Sequence, residues 1–375
     1  MRSPFSPPTP QNSVLSDVFC LLQDTIAPQA TALDSEPDAL RDAFYQLGQA
    51  GLLGLRVPQE WGGREWMPIN IDRYTEQVAR YSGALAFLQT QHQSAAGALA
   101  KSDNQELKEL YLRSAASGDI GLGVGFSHLR RSHQPPVTAT AIAEGSRVNG
   151  YRVSGTVPWI TGYGTFQHFI LGAQLQDGTA LFALLPFRSS DNPDGGILHI
   201  SDPMQLAAMQ STQTVAATLT DYAIPSRLVI DIKPPNWIHT RDRLNPLSHS
   251  FFALGCARAG LDILESAQNP QIPTISNTFQ TLDRQLEDCR SATYSARSGD
   301  ATQSLGPNRL ELRAEAIDLA VRCAHAAVTA SRGSANYRQH AAQRIYREAL
   351  AFTVFGQTTN VMSATLDRIA NGLNA

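Results

Sequence analysis

Few residues in this chain are placed to do chemistry, and most of the familiar constellations are missing. The four cysteines, Cys20, Cys256, Cys289 and Cys323, form no Cys-x-x-Cys pair. Scattered in this way they read as reduced, small apolar side chains, a usage that suits the cytoplasm. The nine histidines contain no His-Glu-x-x-His or similar spacing, so no metal site is expected. The run "GLGVGF", 121–126, has Phe126 where the third glycine of a dinucleotide-binding fingerprint belongs, and no helical pattern follows it. What remains is a glycine. In "RIYREALAFTVFGQTTNVM", 344–362, Gly356 interrupts a helical run. A mid-helix glycine costs about 1 kcal/mol relative to alanine. Either it kinks the helix or the missing side chain opens space.

Three zones must position such residues. Residues 1–13, "MRSPFSPPTPQNS", are rich in Pro and Ser, have no apolar signal core and read as a loose arm. Residues 14–118 read as helices: "ALRDAFYQLGQAGLLGL" carries apolar residues at helical spacing and stops at "VPQEWGG". Residues 119–235 change to short β-branched and aromatic runs such as "FQHFILGAQL" and "ALFALLPF", separated by turns such as "QDGT" and "NPDGG". That is a β domain, not a βαβ series. Residues 236–375 return to helix. In "LELRAEAIDLAVRCAHAAV" the positions Leu310, Ala314, Ile317, Val321, Ala324 and Val328 form one stripe. Four such helices, the last spanning 341–372, fit a bundle. The fold class expected is therefore α+β multidomain: helical domain, central β domain, C-terminal four-helix bundle. A chain of 375 residues with 42% hydrophobic residues can bury a sizeable core, and its net charge of −3 exerts no general pull on nucleic acid or anionic membrane. No apolar run approaches the roughly 18–20 residues of a membrane span.

On this three-zone plan the motifs resemble the acyl-CoA dehydrogenase superfamily of flavoproteins. "LGQAGLLGLRVPQEWGG" resembles its N-terminal signature, and "PWITGYG" its Trp-Ile-Thr segment. "LAAMQSTQTVAATLTDYAIPSRLVI" resembles the strand pair that closes its β domain, and "AVTASRGSANYRQHAAQRIYREA" its Gln-x-x-Gly-Gly … Arg-x-x-Arg-Asp-Ala run. The resemblance implies FAD, with FMN as the alternative, bound between β domain and bundle. It also implies a homodimer or homotetramer. Carried over residue by residue, it places Trp159 and Thr161 at the flavin wall, Ser127 and Ser132 in the loop that holds flavin and pyrophosphate oxygens, and Gln280 and Gly333 near the ribityl and pyrophosphate region. Arg130 and Arg131 lie within that loop, either to pair with phosphate or as a solvated basic stretch. Thr329 and Arg332 replace the first two residues of the Gln…Gly-Gly element, and the Arg-x-x-Phe-Gly element is absent. Thr358 and Asn360 remain available to the cofactor.

Anchored on Arg347-Glu348-Ala349, the same match puts Phe355 at the family's Tyr and Gly356 at its catalytic Glu. The usual carboxylate that removes a proton α to the thioester is therefore missing. Some members keep the base near the start of the first bundle helix, where this chain has Asn245, with Asp242 one turn earlier as a displaced candidate. His92 is a further candidate for polarising a substrate. The expected function is an FAD-dependent oxidoreductase acting on the CH–CH group of an acyl thioester or similar small molecule, with a non-standard or absent base. Its electrons would pass to an electron-transfer flavoprotein. The alternatives are a two-component monooxygenase supplied by a flavin reductase, or an inactive homologue.

Overall fold

The computed structural model describes residues 18–131, 137–144, 147–299 and 309–372; the N-terminal arm and Ser132 lie outside them. Helix α1, Ala30–Ser35, leads into α2, Pro37–Gln49. Pro37 opens α2, where a missing N–H leaves no helical bond unmade. Leu40, Phe44 and Leu47 recur at helical spacing and are buried. Helices α3, Pro68–Tyr81, α4, Gly83–Ala100, and α5, Gln105–Ser117, complete the first zone. Ser82 caps α4 by accepting a 3.2 Å hydrogen bond from the Leu85 N–H. Helix α4 is buried on most of its surface and packs against α2, α3, α5 and the first strand.

Among the described residues nine strands form the central sheet: β1 Leu122–Gly125, β2 Val137–Glu144, β3 Arg147–Ile160, β4 His168–Gln174, β5 Ala180–Pro186, β6 Ser190–Asp191, β7 Ile197–Ile200, β8 Val215–Pro225 and β9 Val229–Lys233. The order is β6-β7-β8-β3-β2-β4-β5-β9, with β1 beside β4. β1 runs parallel to β4, while β3 pairs with β8 antiparallel from Gly150↔Pro225 to Ile160↔Val215. Asn104 caps α5 and also donates to the Arg227 and Val229 carbonyls, both at 2.9 Å, which ties the first helices to β9.

The third zone contains α6 Trp237–Leu244, α7 Ser250–Ser266, α8 Pro273–Ser298, α9 Arg309–Ser331, α10 Ala341–Val354 and α11 Thr359–Asn371. Helix α7 is the axle of the bundle and packs against α3, α8, α9 and α10. Two glycines allow this: a Cβ at Gly255 would run into the Glu76 carbonyl oxygen on α3, and one at Gly260 would lie 2.7 Å from the Cys323 backbone on α9. Ion pairs fasten α3 to the bundle at Arg80–Asp262 (2.6 Å), Arg290–Glu76 (2.7 Å) and Arg297–Asp72 (2.7 Å). All four cysteines are free, and burial pushes Cys289 and Cys323 to about 12, so neither is a nucleophile at neutral pH. No helix among the described residues is long and apolar enough to cross a membrane.

The expectation of one last helix over 341–372 is corrected. The chain breaks after Val354, Gly356 adopts φ +52°, and Thr358 restarts the helix by accepting a 3.3 Å bond from the Val361 N–H. Left-handed backbone followed by a hydroxyl cap ends one helix and begins another.

Candidate active site

The space left by the missing side chain at 356 is not empty. A Cβ built there would lie 2.5 Å from Nδ1 and 2.9 Å from Nε2 of His249, so the imidazole occupies that volume. His249 ends a 3₁₀ turn, Pro246–His249, that runs directly into α7. Its Nδ1 shares a 3.1 Å hydrogen bond with Ser248 Oγ, and its ring stacks on Phe252 at 6.1 Å between centroids. Phe252 stacks in turn on Phe352 at 5.3 Å, and Phe355 meets both rings edge-on. Phe87, from α4, closes this aromatic cage 4.3 Å from Phe355. The expectation that Gly356 opens space is therefore corrected: its volume belongs to His249, which the sequence reading did not single out. A signal existed, since His249 lies one helical turn beyond Asn245, the alternative base position.

The electrostatics around this contact are cationic. Burial, and then the guanidinium groups of Arg313, Arg130 and Arg241, hold His249 well below the ordinary imidazole range. The imidazole is neutral at pH 7. Arg313, on α9, donates to the Pro246 carbonyl at 2.9 Å and to the Phe355 carbonyl, so one buried side chain grips both sides of the His249–Gly356 contact. Burial lowers Arg313 itself to about 10.

Two candidates from the sequence are spoken for. Asp242 receives both Arg130 Nε at 2.6 Å and Arg130 Nη2 at 2.9 Å, so its oxygens face a guanidinium and not an open pocket. This also corrects Arg130, which serves a carboxylate of its own chain and is not free to meet phosphate. Asp242→Asn is expected to cost about 2 kcal/mol through the lost charge-assisted bonds; a shift in the urea midpoint measures it. His92 is buried, with Nε2 3.0 Å from the Ala115 carbonyl and Nδ1 accepting from the Leu122 N–H at 3.1 Å. It joins α4 to α5 and β1, and both ring nitrogens are used. Asn245 ends α6, its amide donating to the Arg241 carbonyl at 3.0 Å.

The positions expected to hold a cofactor are spread over separate elements. Trp159 and Thr161 lie at the end of β3; the indole is 50% exposed, whereas the Thr161 hydroxyl is buried and shares a 3.0 Å bond with Thr214. Ser127 is exposed in the turn after β1. Thr358 and Asn360 sit at the break beside Gly356. Gly333 follows α9, and Gln280 is exposed on α8. Helices α7, α8 and α9 border a cavity of about 950 Å³ that reaches Thr278, Thr281, Arg322, His325, Thr329 and Arg332.

The family model for the acyl-CoA dehydrogenase N-terminal domain matches residues 10–119. The probable acyl-CoA dehydrogenase YngJ of Bacillus subtilis is 22% identical over 361 residues, spanning 92% of this chain and 93% of its own. Benzylmalonyl-CoA dehydrogenase of Aromatoleum aromaticum is 30% identical over 182 residues, 47% of each chain. Among solved structures, the glutaryl-coenzyme A dehydrogenase complex with glutaryl-CoA matches with a TM-score of 0.79 at 18% identity, covering 98% of this chain and 97% of that one. Butyryl-CoA dehydrogenase from Megasphaera elsdenii follows with a TM-score of 0.76 at 17% identity, over 98% and 100% of the two chains. The chain belongs to the acyl-CoA dehydrogenase superfamily.

Members of this superfamily are FAD-dependent oxidoreductases. The residues present here fit that cofactor. A tryptophan face lies free at the end of β3, and nothing lies within 4 Å of where a Gly333 side chain would stand. Two arginines, Arg322 and Arg332, and four threonines line the cavity between α7, α8 and α9, and the guanidinium groups suit a pyrophosphate.

Proposed function

We propose that the protein is an FAD-dependent oxidoreductase acting on the CH–CH group of an acyl thioester, with His249 in the place of the family's carboxylate. One observation carries this reading: the imidazole fills the volume that a side chain at 356 would take. With Nδ1–H donating to Ser248 Oγ, Nε2 offers a lone pair to a proton α to the thioester carbonyl. The depressed affinity of His249 for protons keeps that lone pair free at neutral pH. Arg313 supplies positive potential where a thioester oxygen gains charge as its α-carbon loses a proton. The aromatic cage excludes water from the same space. FAD, when bound, supplies the two-electron acceptor. Trp159, Thr161, Ser127, Ser132, Thr358 and Asn360 hold it in this reading, and Gln280, Gly333, Thr329 and Arg332 meet its pyrophosphate side, with a second copy of the chain completing the site. Electrons leave to an electron-transfer flavoprotein.

The test is α-proton exchange. Butyryl-CoA is incubated with the protein in D₂O, and deuterium at Cα is read by mass spectrometry. His249→Ala is expected to slow exchange by about 100-fold or more, with the flavin absorbance per chain unchanged. Equal exchange rates in the two proteins would remove His249 as the base. Fast oxygen uptake on adding reduced flavin, with no exchange, would put the monooxygenase reading first. A colourless protein with no affinity for FAD or FMN would make it a retired homologue.

A further inference from the structure

A separate cavity of about 500 Å³ lies where the 56–68 loop, the end of α4, the outer face of the sheet and α6 meet. None of the described residues expected to hold flavin lines it. Its lining is aromatic: Trp66, and a cluster of Phe126, Phe182 and Trp237 whose rings meet edge-on. Arg56, Lys101, Lys233 and Arg241 also reach it, against two carboxylates, Glu65 and Asp231. Lys233 and Asp231 neutralise each other as an ion pair. Arg241 lies with its guanidinium 5.4 Å over the Trp237 ring. The Arg56 stem crosses α4 at Gly97, where an added Cβ would lie 3.1 Å from Arg56 Cβ and Cδ, so α4 has a glycine where this arginine passes.

The two arginines are not otherwise occupied. Neither guanidinium donates a hydrogen bond within the described residues, and Asp72, the acid nearest Arg56 in effect, is held by Arg297 Nε at 2.7 Å. Arg241 and Arg297 both act on Arg56 as like charges. Cations gathered on one apolar wall repel one another, and a shared anion relieves that repulsion.

We propose that this cavity binds an organic acid, its carboxylate held by Arg56 and Arg241 and its aromatic or branched apolar body between Trp66, Trp237, Phe126 and Phe182. The planar fork of each guanidinium matches a carboxylate, and the volume suits a small molecule. The proposal goes beyond the acyl-thioester reading and does not depend on it, because binding is measured on the purified protein without turnover.

The experiment is calorimetric titration with 3-phenylpropionate, its neutral amide and phenyl phosphate. The carboxylate is expected to bind saturably below about 1 mM, and the amide at least about tenfold more weakly. Arg56→Gln and Arg241→Gln are each expected to weaken phenylpropionate by about tenfold, and the pair together to abolish binding. Circular dichroism checks that each variant is folded. Equal affinity for acid and amide, affinity unchanged in the double variant, or no heat from phenylpropionate up to about 10 mM would each overturn the proposal. Tighter binding of phenyl phosphate than of phenylpropionate would overturn the carboxylate assignment.

Discussion

Acidification from pH 7 to pH 4 is expected to bring the protein close to unfolding, with histidines as the main cause. His92 and His128 are buried and held at about 4, and His249 lies well below its ordinary value. His168 is lowered as well. In each case burial disfavours the imidazolium, because the charged ring would have to leave water. His92 adds a specific conflict, since its Nδ1 already accepts the Leu122 N–H and has no room for a proton.

The sign follows from proton uptake. These folded-state values lie below the unfolded value of about 6.5, so the unfolded chain binds protons first. Stability is complete above that value and falls as the pH drops toward 4. At pH 4 the loss is about 3 kcal/mol each for His92 and His128, against a usual total of about 5–15 kcal/mol. Burial pushes Asp72 and Glu348 upward, so these two carboxyls take up protons more readily when folded and offset part of the loss. Urea midpoints at pH 7, 5.5 and 4 measure the balance. A midpoint that stays level across that range would show that these rings do gain protons in the folded state.

The second large effect is at Gly356. Gly356→Ala is expected to destabilise the protein by roughly 2–5 kcal/mol. Part comes from φ +52°, which a side chain disfavours, and part from a Cβ placed 2.5 Å from His249 Nδ1. The two parts separate in a double-mutant cycle. Adding His249→Ala removes the clash but leaves the backbone term, so the pair should be coupled by about 1–3 kcal/mol. Additive losses would mean that the imidazole moves away freely and does not own the space. For the same reason, Gly356→Glu alone is not expected to restore a family-type base: carboxylate and imidazole compete for one volume, and Arg313 holds the neighbouring backbone on both sides, at Pro246 and Phe355.

Architecture was legible from the chain because its signals are local. Apolar stripes at helical spacing, as along α9, and short β-branched runs between turns, as at β4 and β5, depend only on residues near one another. The same holds for "PWITGYG" at the end of β3 and for the absence of a carboxylate at 356. Contacts between distant elements were not legible. Asp242 reads as a displaced base, but Arg130 from the β1 turn takes it, and His92 reads as a group to polarise a substrate, but α5 and β1 take both its nitrogens. The stretch from 341 to 372 reads as one helix interrupted at Gly356, whereas the left-handed turn that divides it in two is visible only in the fold. The chain by itself determined which elements form and that residue 356 carries no catalytic group. Only the tertiary structure decided that the His249 imidazole fills the space beside it, because that contact depends on how α7 docks against α10, and no local pattern encodes the docking of two helices so far apart in the chain.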